Sequence, residues 1–181
     1  CSAIGVCEEM RDYLKQMGIT KRIIIVASPN VQDNFRLQLF DERKLKEVDG
    51  IWTMKGCLGN KLLKEINPTG MKGLKKDKII QQIKQLINAS YYFVGYVQFS
   101  NEIVRKIGKE TNSEETKKRN LEIEYANNLI VIDEAHYIAN TTAIRTKLIN
   151  SFAKKSKRLW LLSGTPMTSR PINYFNLLNL I

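Results

Sequence analysis

The sequence predicts a mostly parallel α/β sheet flanked by helices. Three observations carry this. Ile23-Ile24-Ile25-Val26-Ala27, Leu129-Ile130-Val131-Ile132 and Leu159-Trp160-Leu161-Leu162 are uninterrupted apolar runs, as strands buried on both faces of a parallel sheet must be. Segments with apolar residues at helical spacing alternate with strand-like ones, the order that layered α/β folds produce. The 181 residues are 43% hydrophobic and 26% charged, which is enough apolar material for the core of one domain.

Taken in order, Ala3, Val6, Cys7, Met10, Leu14 and Met17 recur at helical spacing, and Gly18 offers a stop. The Ile23–Ala27 strand follows, broken by Ser28-Pro29-Asn30, which supply helix-start residues for a helix carrying Phe35, Leu37, Leu39 and Phe40. Ile51–Met54 reads as a short strand. Cys57–Gly73, with several glycines and Pro68, reads as containing loop. Lys78–Asn88 reads as a helix with Ile79, Ile80, Ile83, Leu86 and Ile87 on one side. Tyr91–Phe99 reads as a strand with a turn, and Asn101–Ile107 as a helix. Lys109–Asn120 is highly charged and reads as an exposed loop or insertion. After the 129–132 strand, Thr142–Phe152 reads as a helix, Lys154–Arg158 as a basic connector, and Asn173–Ile181 as the start of a last helix.

The net charge of +11 fits a polyanionic partner, nucleic acid first, and fits a lysine-rich soluble surface equally well. The basic stretches Lys72–Lys84, Lys117-Lys118-Arg119 and Lys154–Arg158 each read as solvated faces before binding sites, because phosphate contacts require clustering in space. Tyr91, Tyr92, Phe93, Tyr96 and Phe99, interleaved with Val94 and Val97, read as core rather than as a base-stacking platform. Trp52 and Trp160 also read as core. The three cysteines form no CxxC pair and there is a single histidine, so no zinc site is expected. Reduced thiols and an intracellular compartment fit this usage. No apolar run reaches the roughly 18 residues that span a bilayer, so no membrane partner is expected.

The most informative string is Leu129-Ile130-Val131-Ile132-Asp133-Glu134-Ala135-His136. It places two carboxylates at the carboxyl end of a buried strand, where open α/β sheets bind ligands. Phosphoryl transfer from ATP needs Mg²⁺, a hard cation held by carboxylate oxygens, often through water. It also needs a group that positions or deprotonates the attacking water. Asp133 is assigned to Mg²⁺ and Glu134 to the water. Asp-Glu alone would read as a solvated acidic turn; the eight-residue string favours the functional reading. His136 is placed beside the site as a relay. About 30 residues on, Leu159–Leu162 leads into Ser163-Gly164-Thr165-Pro166. Gly164 permits close backbone approach, and Ser163 and Thr165 offer hydroxyls to acids near the γ-phosphate or to backbone.

Asp133-Glu-Ala-His136 resembles motif II, the Walker B box, of superfamily 2 helicases, including the DEAH type. Ser163-Gly-Thr-Pro166 with Met167 resembles motif III of their Swi/Snf-like branch. Ile23–Asp41 resembles motif Ia, whose turn, here Ser28, Pro29 and Asn30, contacts the nucleic-acid backbone in that family. Tyr92–Ser100 falls in the motif Ib neighbourhood. Ser28–Asp41 and Gly59–Gly73 are most similar to helicase-like proteins of large nucleocytoplasmic DNA viruses, themselves similar to poxvirus transcription-associated NTPases.

The resemblance implies a RecA-like, P-loop NTPase fold, with ATP and Mg²⁺ as cofactors. It implies DNA in preference to RNA as the track. RNA polymerase or transcription factors are the implied further partners. The implied location is a cytoplasmic viral factory or virion, or otherwise the nucleus. Residues 1–181 are then a single partial ATP-binding domain. The GxxxxGK[ST] loop does not occur in the sequence, and Cys1–Met17 fits the helix that follows it in the family, so the loop is expected just before Cys1. A second RecA-like lobe is expected beyond the fragment, which alone should not turn over ATP. Two readings from other classes remain: a non-catalytic scaffold descended from such an ATPase, and an unrelated α/β nucleotide-binding protein such as a kinase.

Overall fold

The computed structural model describes residues 1–107, 113–125, 128–138, 149, 158–164 and 172. In chain order its elements are α1 (Ser2–Gln16), β1 (Ile23–Val26), α2 (Pro29–Leu39), β2 (Leu45–Val48), β3 (Ile51–Met54), α3 (Lys61–Ile66) and α4 (Lys76–Ser90). They continue with β4 (Tyr91–Val94), α5 (Tyr96–Ile107), α6 (Glu114–Tyr125), β5 (Ile130–Ile132) and β6 (Leu159–Leu161). The chain forms two compact units, residues 1–20 with 30–91, and residues 21–29 with 92–181.

The second unit holds the parallel α/β sheet, in the order β4-β1-β5-β6. Ile24, Ile25 and Val26 pair with Ile130, Val131 and Ile132, which pair in turn with Leu159, Trp160 and Leu161. All four residues of β1 and all three of β5 are buried, as their unbroken apolar runs require. Ile24, Val26, Val94, Ile130 and Ile132 share a core with Phe99 and Ile103 of α5 and Leu121 and Tyr125 of α6. Trp160 is half-buried rather than enclosed.

Two expectations in this unit are corrected. The aromatic run is not a strand through Phe99: β4 ends at Val94, and α5 begins at Tyr96. Gly95 breaks the strand, and Phe99 and Ile103 then recur at helical spacing and are fully buried. The charged stretch expected as a loop contains α6. Ser113 accepts the Thr116 N–H at 3.2 Å as its cap, Glu114 and Glu115 occupy the first turn, and Leu121 and Tyr125, four apart, supply the buried contact. Its basic residues do face outward, where Lys117 pairs with Glu114 at 2.9 Å and Lys118 with Glu122 at 3.9 Å. The helix expected over 142–152, the connector Lys154–Lys157 and the last helix from Asn173 lie outside the described residues, except that Ile149 is helical and buried.

In the first unit α1 forms where expected, but on a shifted face: Ile4, Cys7 and Leu14 are buried, whereas Val6 and Met17 of the expected apolar set are exposed. It stops at Gly18, whose φ of 67° suits a left-handed cap. A hairpin of β2 and β3 replaces the lone strand expected at 51–54. Leu45 pairs with Met54 and Val48 with Ile51. Its two-residue turn, Asp49-Gly50, has φ of 52° and 80°, the left-handed pair that Asp-Gly turns favour. Within the stretch expected to contain loop, Leu62 and Leu63 are buried by α3. Trp52 is half-buried, its indole N–H donating to Leu74 O at 2.7 Å. Cys1 and Cys57 are joined in a disulfide, against the reduced thiols expected; their Cα atoms, 5.1 Å apart, lie within disulfide reach. Cys7 is free and buried.

This unit is also held by a buried ion network. Glu8, 1% exposed, accepts from Arg11 at 2.9 and 2.8 Å and from the Tyr91 hydroxyl at 2.5 Å, and sits 3.2 Å from Lys61 Nζ. Arg11 also reaches both oxygens of Glu65, at 3.1 and 2.6 Å, and Lys61 donates to Asp12 at 2.7 Å. The Arg11 hydrogen bond, helped by Lys15, holds the Glu65 carboxyl down to about 2. A depressed carboxyl contributes stability above its unfolded value and loses it as pH falls through the folded one. The native chain is therefore expected to lose stability between its ordinary 4.5 and about 2, and Glu65→Gln to flatten that part of the curve. Denaturant titrations across this range check it; an unchanged slope would remove Glu65 from acid unfolding.

Candidate functional site

Because β1, β5 and β6 are parallel, their carboxyl ends share one edge of the sheet. Backbone bonds lock this edge together. The Asp133 N–H donates to Val26 O at 3.0 Å, the Leu162 N–H to Ile132 O at 2.8 Å, and the Ala135 N–H to Leu162 O at 2.8 Å. Ala135 and Ile138 are buried and pin a single 3-10 turn, Ala135–Ile138. Between strand and turn the chain makes a sharp corner: Glu134 has a φ of 50°. For a residue with a Cβ this left-handed conformation costs on the order of 1–3 kcal/mol and persists only where its surroundings enforce it.

The corner brings the sequence-predicted residues together. Glu134 Oε2 lies 3.1 Å from His136 Nδ1, and the same nitrogen lies 3.2 Å from Ser163 Oγ. His136 therefore bridges the loop after β5 and the loop after β6, 27 residues apart in sequence. Its side chain is 16% exposed, whereas that of Glu134 is 45% exposed and open to solvent. Asp133 is half-buried. Burial pushes its carboxyl above the ordinary value, and the Glu134 charge adds to the rise; a bond from the Glu134 N–H and the nearby His136 oppose it. Gly164 is exposed next to Ser163, and Thr165 lies outside the described residues. Ser28, just before α2, and Pro29 and Asn30, its first two residues, are all exposed.

Among the described residues no group of three or more metal-ligating side chains occurs. Mg²⁺ commonly takes only one or two protein carboxylates, so a single half-buried acid can serve as its protein ligand. Asp133, raised by burial and by a neighbouring charge, is a carboxylate that a cation would favour in its ionised form.

Tyr96 and Tyr137 were missed as site residues. Tyr96, the first residue of α5, donates its hydroxyl to the Asp133 carbonyl and lies 3.4 Å from Glu134 O. Its ring meets Tyr137 edge-on at 6.1 Å, and Tyr137 packs on the His136 ring at 4.4 Å. The only signal for Tyr96 was its place directly after Gly95 at a strand end, which aromatic core packing explained equally well. Among the described residues no helix is long and apolar enough to cross a membrane.

Comparison with known proteins bears on this edge. The profile of the SNF2-related domain family matches residues 7–181. The chain is 38% identical over 47 residues to the DNA annealing helicase and endonuclease ZRANB3 of Mus musculus, covering 26% of this chain and 4% of that protein. It is 43% identical over 47 residues to the SWI/SNF-related matrix-associated actin-dependent regulator of chromatin subfamily A-like protein 1 of Xenopus tropicalis, covering 26% of this chain and 5% of that protein. The matched region is thus a small part of each relative's length.

Proposed function

Because this chain belongs to the SNF2-related domain family, we propose that it is the ATP-binding lobe of a nucleic-acid-dependent ATPase that couples hydrolysis to translocation on DNA. The observation that carries this reading is the His136 bridge. One imidazole nitrogen contacts both the acidic corner and the Ser163 loop, so a change of charge at one is felt at the other.

In this reading Asp133 would hold Mg²⁺ and Glu134 would face the attacking water. A bound Mg²⁺ would supply positive charge to offset that building on the transferred phosphoryl group. Glu134, its side chain 45% exposed, orients the water and accepts its proton. His136 holds the Glu134 carboxylate and, through Ser163, passes its state to the Ser163-Gly164-Thr165 loop, which couples hydrolysis to movement. Ser28, Pro29 and Asn30 are exposed at the start of α2, which suits contact with backbone phosphates. The net charge of +11 supports the same partner. The viral affinity, the intracellular location in a viral factory or virion, and a link to RNA polymerase or transcription factors extend the proposal through the Ser28–Asp41 and Gly59–Gly73 resemblance. The single partial domain, with its phosphate loop and second lobe elsewhere in the natural protein, belongs to it as well.

Displacement of a third strand from a DNA triplex tests translocation in the longest native chain. Ser163→Ala with Thr165→Ala is expected to keep most ATP turnover, within about threefold, while triplex displacement falls at least tenfold, since about 1.4 kcal/mol of coupling is a factor of ten. Equal loss, or no loss, of both would remove this loop from coupling.

A further inference from the structure

We propose that Tyr96 is a positioning residue for the acid pair: its hydroxyl holds the carbonyl side of the strained Asp133–Glu134 corner and so keeps the Glu134 carboxylate against His136. This rests on the ATPase reading of the same site.

The corner needs an external hold because Glu134 sits in a left-handed conformation that its Cβ disfavours. On either side of it the Asp133 N–H bonds Val26 O and the Ala135 N–H bonds Leu162 O, backbone contacts to which no side chain contributes. On its carbonyl side the Tyr137 N–H bonds Glu134 O at 3.0 Å, and the Asp133 carbonyl takes the Tyr96 hydroxyl. That hydroxyl contributes a side-chain bond at the corner, so it is sensitive to sequence in a way that the backbone bonds are not.

Tyr96 is also well placed to hold still. It begins α5, whose Phe99 and Ile103 are fully buried in the sheet core. Its ring is braced by Tyr137, which packs on His136, so hydroxyl and ring act on two sides of one loop. Freed from the hydroxyl bond, the Asp133–Glu134 peptide can relax towards a right-handed turn. That rotation carries the Glu134 side chain away from its 3.1 Å contact with His136.

Tyr96→Phe in the longest native chain tests this, because it removes one oxygen and keeps the ring contact. The expected result is a fall in kcat for ATP of about tenfold, with KM within twofold and the thermal midpoint little changed. That pattern marks an interaction made only in the transition state. The His136 ring signals in NMR, assigned by their loss in His136→Asn, report the corner directly and should shift in Tyr96→Phe. An unchanged kcat overturns the proposal, as does a lost kcat with unmoved His136 signals. If Tyr96→Phe folds poorly, Tyr96→Gln, which keeps a donor, should outperform Tyr96→Leu at equal stability; equal activity of the two also overturns it. If the parent chain hydrolyses no ATP on any nucleic acid, the ATPase reading fails by itself, and the His136 signals alone decide the role of Tyr96.

Discussion

Glu134→Gln in the full-length protein is expected to lower ATP turnover by about a thousandfold while leaving ATP binding in place. General-base catalysis contributes on the order of 10²–10⁴ in rate, and the amide keeps the shape of the side chain but cannot accept the proton. The Glu134 side chain is 45% exposed and lies against His136 at 3.1 Å, which suits a group that meets water and is held while doing so. The left-handed backbone gives a second reason. A conformation that costs on the order of 1–3 kcal/mol is retained where it aims a working side chain. Steady-state hydrolysis and nucleotide binding, measured on the same preparation, check the prediction. Near-normal turnover would end the assignment of Glu134 as base. Loss of binding as well would mean that the substitution had disturbed the nucleotide site rather than the chemistry.

Glu8→Ala is expected to produce the largest loss of stability, about 3–5 kcal/mol, the range for removing one partner of a buried ion pair. Glu8 is 1% exposed and accepts from both Arg11 and Tyr91. Its removal leaves the buried Tyr91 hydroxyl without that acceptor and Arg11 with the Glu65 carboxylate at its edge. For a chain of this size the loss corresponds to a fall of roughly 10 °C in the unfolding midpoint. Glu8→Gln, which still accepts a hydrogen bond, should cost less. Denaturant unfolding of both variants decides it. A loss under about 1 kcal/mol for Glu8→Ala would show that the network is replaceable by packing.

The parallel sheet was legible because its strands are apolar without interruption, and a strand buried on both faces has no other way to read. The acid corner was legible for a related reason: Asp133 and Glu134 directly follow such a strand, so their place at its carboxyl end is fixed by the chain itself. The conformation of that corner was not legible. Nothing in the string shows that Glu134 turns left-handed, because this is imposed by bonds from Val26, Leu162 and Tyr96, which are distant in sequence. The same holds for the Cys1–Cys57 disulfide, which joins residues 56 apart. By contrast, the hairpin turn at Asp49-Gly50 and the Ser113 cap of α6 did carry local signals, masked by the charged residues around them. In α6 two buried positions, Leu121 and Tyr125, suffice to hold an otherwise polar helix against the core, so its apolar content was too low to outweigh its charge.

The central claim is that the edge formed by Asp133, Glu134, His136 and Ser163 serves an ATPase driven by nucleic acid. Steady-state ATP hydrolysis by the longest native chain, alone and with double-stranded DNA, single-stranded DNA or RNA, tests it most directly. The account predicts strong stimulation, greatest with double-stranded DNA and lost in Glu134→Gln. Absence of hydrolysis under every condition, in a chain that carries an intact phosphate-binding loop, would contradict it and point instead to a non-catalytic scaffold that binds nucleic acid or a polymerase.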